Sequence, residues 1–329
     1  MSAPQPPSAD ARAPLGEIGG YQLLERLGAG ALGEVFRARD TVHGRTVVIK
    51  RVPASLTADI DRVCLLRDTA TAVAGVSHYG VAMVYECGDE DGQTFVAQEF
   101  VPGQTLTQLI SGRPLNVLHA VDMAVRIADA LAALHQAGLT HGDLRPDNIV
   151  VTPKGHVKLL DAGLAAFTGG GAARAAAGRG GPAAATHAVT RYLAPEEALG
   201  ERGDHRADLF TLGLVLHEML TGRPAFDQPS AGDTLLAVLR ATPPLPGLSN
   251  PKVPASLDAI VGRALSKAVD ARYQTAEALA DDLRRVKARL DDDLDEPGAV
   301  EPEPRSRVWW WVAAAGAGGA GLAWFALTR

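Results

Sequence analysis

Residues 141–151 read "HGDLRPDNIVV": Asp143, Arg145 and Asn148 fall within six positions, and a β-branched run, Ile149 to Val151, follows directly. A plain polar turn accounts for the Asp, Pro and Asn, since these residues satisfy their own backbone groups in turns. The second reading is a site for charged phosphates, in which a carboxylate, a cation and a carboxamide act together at the head of a strand. The rest of the chain has to separate the two.

The chain has 329 residues, 47% of them hydrophobic, enough for one large domain or two lobes sharing a cleft. Its formal net charge of −6 argues against a nucleic-acid binder that works by general charge attraction. Cys64 and Cys87 are the two cysteines and have no metal-ligand spacing; they read as small reduced apolar residues of a cytosolic body. The first 20 residues, rich in Pro, Ala, Ser and Gly, hold no secretory signal, and residues 1–19 read as a disordered tail.

From Tyr21 to Glu99 the pattern favours strands: "YQLLERLG", "GEVFRARD", "RTVVIKRV", "AMVYECGD" and "QTFVAQEF", with one helix over 57–73. From Leu115 onward helical spacing dominates, first in "NVLHAVDMAVRIADALAALHQAG", then at 205–221, 233–240, 256–267 and 275–289. The expectation is an α+β protein, a small sheet-rich lobe followed by a larger helical one, with a cleft between them.

Three further segments carry phosphate chemistry. "GAGALGEV" places Gly28, Gly30 and Gly33 where backbone N–H groups can approach phosphate oxygens. A strand follows it, whereas a dinucleotide-binding turn requires a helix. A glycine-rich hairpin without ligand reads the same way, so this segment alone does not decide. Lys50 concludes the apolar run "TVVIK", an unfavourable place for an ammonium unless it snorkels or meets an anion. Asp161 ends the run "VKLL" just before "AG", where a carboxylate can face a hard divalent cation or cap a turn. Asn148 can add a neutral oxygen ligand, leaving Asp143 to accept a proton and Arg145 to offset charge.

Jointly these segments resemble the eukaryotic-type protein kinase domain of the bacterial Ser/Thr kinases. "GAGALGEV" is similar to the glycine-rich loop, "VVIK" to the lysine strand and "HGDLRPDN" to the catalytic loop. "DAG" is similar to the metal-binding motif, "YLAPEE" to the end of the activation segment, and "ADLFTLGLVLHEMLTGRPAF" to the buried anchoring helix. The resemblance implies a bilobal fold over 20–289, with an N-lobe at 20–100 and a C-lobe at 101–289. It implies ATP with Mg2+ (or Mn2+), and protein substrates whose Ser/Thr hydroxyls are phosphorylated; Pro146 after the loop cation supports that acceptor class. Asp143, Lys50 and Arg145 take the catalytic roles, and Asn148 and Asp161 the metal. ATP contacts fall to Gly28, Ala29, Gly30, Ala31, Leu32, Gly33, Val35, Val48, Lys50, Gln98, Glu99, Val101 and Val150. Asp208, and a pair between Glu196 and Arg272, support the fold. The competing functions are an ATP-binding pseudokinase scaffold and a small-molecule phosphotransferase of the aminoglycoside-kinase type, which shares "HGD…N".

The chain departs from the family at several places. Counting nine residues back from His78, the helix glutamate of the family falls on Thr69, with Asp68 beside it. Ala162 stands for the usual aromatic, Gly142 for the arginine that commonly receives an activation-loop phosphate, and Val48 for an alanine. The loop itself is mostly Gly and Ala, with Thr168, Thr186 and Thr190, and Val189 occupies the usual threonine position.

Beyond the domain, residues 290–307 read as an acidic, proline-containing linker. Val308–Leu327 is uncharged and holds all four tryptophans, long enough as a helix to span a bilayer. Arg305 and Arg307 on its near side orient the kinase domain to the cytoplasm, and 328–329 form a short tail. Ala313, Ala317 and Gly321 recur every four residues, a pattern for a homodimer contact between helices.

Overall fold

The structure is a computed structural model that describes residues 14–30, 32–168 and 189–295. The chain divides into two compact units, Met1–Ala288 and Arg289–Arg329, and the lobes and cavities below belong to the first. Val308–Leu327, Thr186 and Ala31 lie outside the described residues. Among the described residues no helix is long and apolar enough to cross a membrane.

Six strands build the first lobe: β1 (Gly16–Ile18), β2 (Tyr21–Gly30), β3 (Gly33–Asp40), β4 (Thr46–Arg51), β5 (Val84–Glu90) and β6 (Gln93–Glu99). They form one antiparallel sheet in the order β1-β2-β3-β4-β6-β5. Strand alternation turns Leu23, Phe36, Ala38, Val47, Ile49, Phe95 and Ala97 into a single core, with Tyr21 edge-on to Phe95 at 5.9 Å. Burying each large apolar side chain there contributes roughly 1.5–3 kcal/mol.

Strand β1 corrects the expected tail at 1–19. Ile18 is buried in the sheet core, and Gly19 and Gly20 turn the chain back at φ of 57° and 78° so that Ile18 pairs with Tyr21. One apolar residue before a Gly-Gly turn suffices for a strand, but composition averages hide it. The helix expected at 57–73 is two: α1 (Ala54–Thr57) and α2 (Ile60–Ala74). Asp59 separates them because its carboxylate accepts from Asp61 N as the cap of α2, at extended φ and ψ. Val63, Leu66, Ala70 and Val73 form the buried face of α2.

The second lobe opens with β7 (Gln104–Thr105), α3 (Leu106–Ile110) and α4 (Val117–Gln136), then β8 (Ile149–Val151) and β9 (Val157–Leu159). Strand β8 lies between β7 and β9 in a small sheet under the cleft. Helices α5 (Pro195–Leu199), α6 (His205–Thr221), α7 (Ala231–Arg240), α8 (Pro246–Ser249), α9 (Ala255–Ala264) and α10 (Ala276–Asp295) follow. In α6 every residue from Ala207 to His217 is buried, the pattern of a helix surrounded by others rather than of an amphipathic one. Gly213 permits the close packing of α9: a Cβ there would stand 2.9 Å from Ala264 Cβ. Helix α10 runs through 290–295, so the linker expected to begin at 290 begins as helix.

Candidate active site

The glycine hairpin, β4, the chain after β6, the catalytic loop and the segment after β9 surround a cavity of about 730 Å3. That volume is within the range of a small-molecule or nucleotide site. Ala29, Gly30, Leu32, Val35, Val48 and Lys50 line it from the first hairpin and β4, Gln98 and Glu99 from the end of β6, and Val101 from the chain after it. Asp143, Arg145, Asn148 and Asp161 line it from the second lobe. The cavity thus gathers residues that lie up to 162 positions apart, Leu27 to Val189.

Lys50 is placed by β4, opposite Val35 on one side and Val96 on the other, and is almost wholly buried. Its ammonium donates to Asp161 Oδ1. Burial pushes the Asp161 carboxyl up, but the charge and hydrogen bond of Lys50 and a hydrogen bond from Gln98 outweigh it and hold it below its ordinary value. Asp161 adopts φ of 62°, left-handed backbone for a residue with a Cβ, a strain of order 1–3 kcal/mol that the surrounding contacts must offset. Ala162, in the position of the usual aromatic, is buried.

The catalytic loop is fastened from beneath. Asp208, at the start of α6, accepts from His141 N at 2.8 Å, Gly142 N at 2.9 Å and His135 Nε2 at 2.9 Å. Burial raises its carboxyl, and the donors, His135 foremost, bring it below the ordinary value. With the loop so held, Asn148 Nδ2 donates to Asp143 O at 2.8 Å and to Asp143 Oδ2 at 3.0 Å. The Arg145 guanidinium stands between two carboxylates, 3.5 Å from Asp143 and 3.0 Å from Asp147. Asp147, which the sequence reading passed over, also accepts from Thr107 Oγ1 at 2.8 Å and so ties the loop to α3.

The anticipated glycines divide by role. A Cβ at Gly30 would meet nothing within 4 Å, whereas one at Gly33 would stand 2.2 Å from Arg51 O. Gly33 is required by the β3–β4 contact, and it does not line the cavity, nor does Gly28. Val150 lies one layer beneath, buried in β8, and Leu160 lines the cavity at that level. Leu27 and Phe100 line it too. Each is the direct chain neighbour of a singled-out residue, and their apolar character was the available signal. Lys158 Nζ lies 2.7 Å from Glu99 Oε2, and Met83 N donates to the same oxygen at 3.2 Å, so the Glu99 side chain is committed.

The position of the missing helix glutamate is resolved. Asp68 is exposed, and the carboxylate partner of Lys50 is Asp161. Thr69 turns inward instead: its Cγ2 and that of Val73 would each stand 3.1 Å from a Cβ at Gly163. Gly142 takes φ of 74°, and Thr190 is fully buried. The Glu196–Arg272 pair forms as a two-pronged contact of 2.8 and 2.7 Å, with Arg272 wholly buried.

The family description "Protein kinase domain" matches residues 21–283. The serine/threonine-protein kinase PknB of Mycolicibacterium smegmatis is 35% identical over 278 residues, covering 81% of this chain and 43% of PknB. PrkC of Bacillus subtilis is 32% identical over 272 residues, with 81% and 40% covered. The kinase pkn3 of Myxococcus xanthus is 34% identical over 300 residues, with 87% and 54% covered. The chain therefore spans about half or less of these curated relatives. The crystal structure of the PknI kinase domain of Mycobacterium tuberculosis superposes with a TM-score of 0.64 at 26% identity, over 84% of this chain and 99% of that one.

Proposed function

The chain belongs to the protein kinase family, and from that premise we propose that it transfers the γ-phosphoryl group of ATP to Ser/Thr hydroxyls of proteins. The observation that carries this reading is the meeting of Lys50, Asp161, Asn148 and Asp143 in one cavity large enough for a nucleotide. Lys50 contacts the α- and β-phosphates, and Asp143 orients the acceptor hydroxyl and takes its proton. Arg145 holds charge beside the transferred group with a rigid fork, where a lysine would supply a point charge. The backbone of Glu99 and Val101 receives the adenine, and Gln98 closes the rear of the cavity.

The donor set suits a hard divalent ion, Mg2+ or Mn2+. Asp161 offers a carboxylate, and the Asn148 carboxamide oxygen has no protein partner among the described residues, its nitrogen being engaged with Asp143. When bound, such an ion neutralises phosphate charge. Every other role belongs to the side chains of the chain itself.

The test uses purified full-length protein, a general protein acceptor, labelled ATP and Mg2+ or Mn2+. Label enters Ser/Thr of the acceptor and is lost in Asp143→Asn. Nucleotide binding without transfer under either metal leaves the scaffold reading; transfer to aminoglycosides alone leaves the small-molecule one.

Membrane anchoring through Val308–Leu327, with the kinase domain in the cytoplasm, belongs to the same proposal and is supported by the sequence pattern. Carbonate-resistant membrane association of the full chain, lost on truncation after Pro304, is the expected result. Recovery of the full chain in the soluble fraction removes the anchor.

A further inference from the structure

Arg145 stands between two carboxylates of the catalytic loop, and only one of them is joined to it by a directed hydrogen bond. Its Nη1 donates to Asp147 Oδ2 at 3.0 Å. Its Nε lies 3.5 Å from Asp143 Oδ2, buried and without a hydrogen-bond partner. That Asp143 oxygen accepts instead from Asn148 Nδ2 at 3.0 Å. A guanidinium is planar and rigid, so a bond at one prong sets the direction of the other two.

Local structure fixes Asp147 in turn. Pro146 disfavours helical backbone at Arg145, which is extended at φ −163° and ψ 161°, and opens the single turn Pro146–Asn148. Asp147, in that turn, accepts from Thr107 Oγ1 at 2.8 Å through its other oxygen. Thr107 sits in the first turn of α3, which a reciprocal cap between Thr105 and Gln108 closes. Strand β7, directly before α3, pairs with β8. The link therefore runs from the small sheet through α3 to Asp147, and from there to Arg145. Val189 lines the cavity as Asp143 and Arg145 do, and its side chain has no polar atom to hold the arginine in their stead.

We propose that Asp147, set by Thr107, is a positioning residue for phosphoryl transfer, holding Arg145 off Asp143. The role rests on the transfer reading given above. With Asp147 in place, the charge of Arg145 stays available to the transferred group and Asp143 stays available to the acceptor hydroxyl. Without it, Asp143 is the carboxylate left to Arg145. Closing their gap from 3.5 Å to the length of a charge-assisted bond, about 2.8 Å, joins cation and base to each other. Both are then withdrawn from the reacting groups, so the loss falls on the transfer step and not on binding.

The test is steady-state transfer by the full-length chain with labelled ATP, Mg2+ and a general protein acceptor. Asp147→Ala should lower kcat about tenfold or more, with KM for ATP and for the acceptor within about twofold. Asp147→Asn should stay within about threefold of wild type, since its oxygen accepts from Arg145 and its amide donates to the Thr107 hydroxyl. Thr107→Val should lower kcat about threefold alone and no further in Asp147→Ala. In an Arg145→Lys background the loss from Asp147→Ala should shrink below about threefold, because an ammonium has no second prong to steer. The Asp147 side chain is 49% exposed, and unchanged affinity for a non-hydrolysable ATP analogue verifies that the variants fold. Asp147→Asn as damaging as Asp147→Ala overturns the proposal, since charge and not direction would be at work, as in contact with a cationic residue of the acceptor. An equal loss in both backgrounds at position 145 overturns it too. A second arm needs no transfer: phenylglyoxal labelling of Arg145, read by mass spectrometry without nucleotide, should be about threefold faster or more in Asp147→Ala, where Nη1 is released. Unchanged labelling overturns the link itself. A wild-type chain that transfers no label removes the transfer reading and the role falls with it, whereas an active chain indifferent to Asp147→Ala removes the role alone.

Discussion

The catalytic loop and helix α2 both rest on the Asp161–Gly163 segment, and they are tied to it by opposite kinds of contact. His141 O accepts from Gly163 N at 3.1 Å, Asn148 O accepts from Leu160 N at 2.8 Å, and Asp208 holds the loop from below. Helix α2 meets the same segment through the methyl groups of Thr69 and Val73. Hydrogen bonds fix distance and direction, whereas apolar contact tolerates sliding. The proposed phosphoryl transfer therefore draws on the loop as built, and α2 contributes packing rather than direction. The contrast also says where regulation can act: on the side held by methyl groups.

The most severe way to break the contrast is to cut the support of the loop. Asp208→Ala leaves His135 Nε2 and two buried N–H groups without their acceptor. It should destabilise the protein by about 3–5 kcal/mol in denaturant unfolding and abolish transfer. Stability within 1 kcal/mol of wild type would mean that the loop stands without it.

Next comes the comparison of Lys50 with α2. Lys50→Met should lower kcat/KM at least a hundredfold, a loss of about 2.7 kcal/mol in transition-state stabilisation. Asp68→Ala should stay within twofold and Thr69→Val within about threefold, since neither reaches Lys50 in this arrangement. If Asp68→Ala were as damaging as Lys50→Met, α2 would be supplying the family's acid after all.

A third measurement follows the carboxylates through acid. Asp161 and Asp208 both lie below the ordinary 3.8 in the folded state. Each therefore contributes stability that is complete above that value and is lost as pH falls through the lower folded value. Unfolding free energy should be flat with respect to these groups from neutral pH to about 5 and fall steeply below 4. In Asp208→Asn the acid limb should be shallower; an unaltered limb would remove Asp208 from the account.

The smallest effect concerns loop phosphorylation. Gly142 brings no donor side chain, and Thr190 is buried, so phosphatase treatment should change turnover by less than about twofold. Near-complete loss of activity, regained on rephosphorylation, would overturn this.

The same contrast explains what was legible in the sequence. Asp143, Arg145, Asn148, Asp161 and Lys50 were readable because hydrogen-bonding chemistry demands particular side chains at strict spacing, and all five line the cavity. The Glu196–Arg272 pair was legible for the same reason. What α2 presents inward was not. Near this helix one residue of slip turns a side chain by about 100°, and composition cannot tell Asp68 outward from Thr69 inward. Leu160 and Val150 were hard to separate because both are apolar and adjoin the same small sheet, Val150 within β8 and Leu160 directly after β9. Strand β1 was missed because its packing depends on a single apolar residue, Ile18, outside any pattern.

Gly142 carries a last consequence, in the genetic code. A glycine codon of the GGN series becomes an arginine codon, CGN, by one base change, so the phosphate-receiving residue of the family is a single mutation away. The protein stands in its path: at φ of 74° an arginine would bear a left-handed backbone, roughly 1–2 kcal/mol above its ordinary conformations, and its Cβ would press on Ala165 Cβ at 3.2 Å. That single step lowers stability at once, while any benefit awaits a loop threonine positioned to be phosphorylated. Under selection the intermediate is the less fit form, and a lineage carrying this glycine tends to keep it.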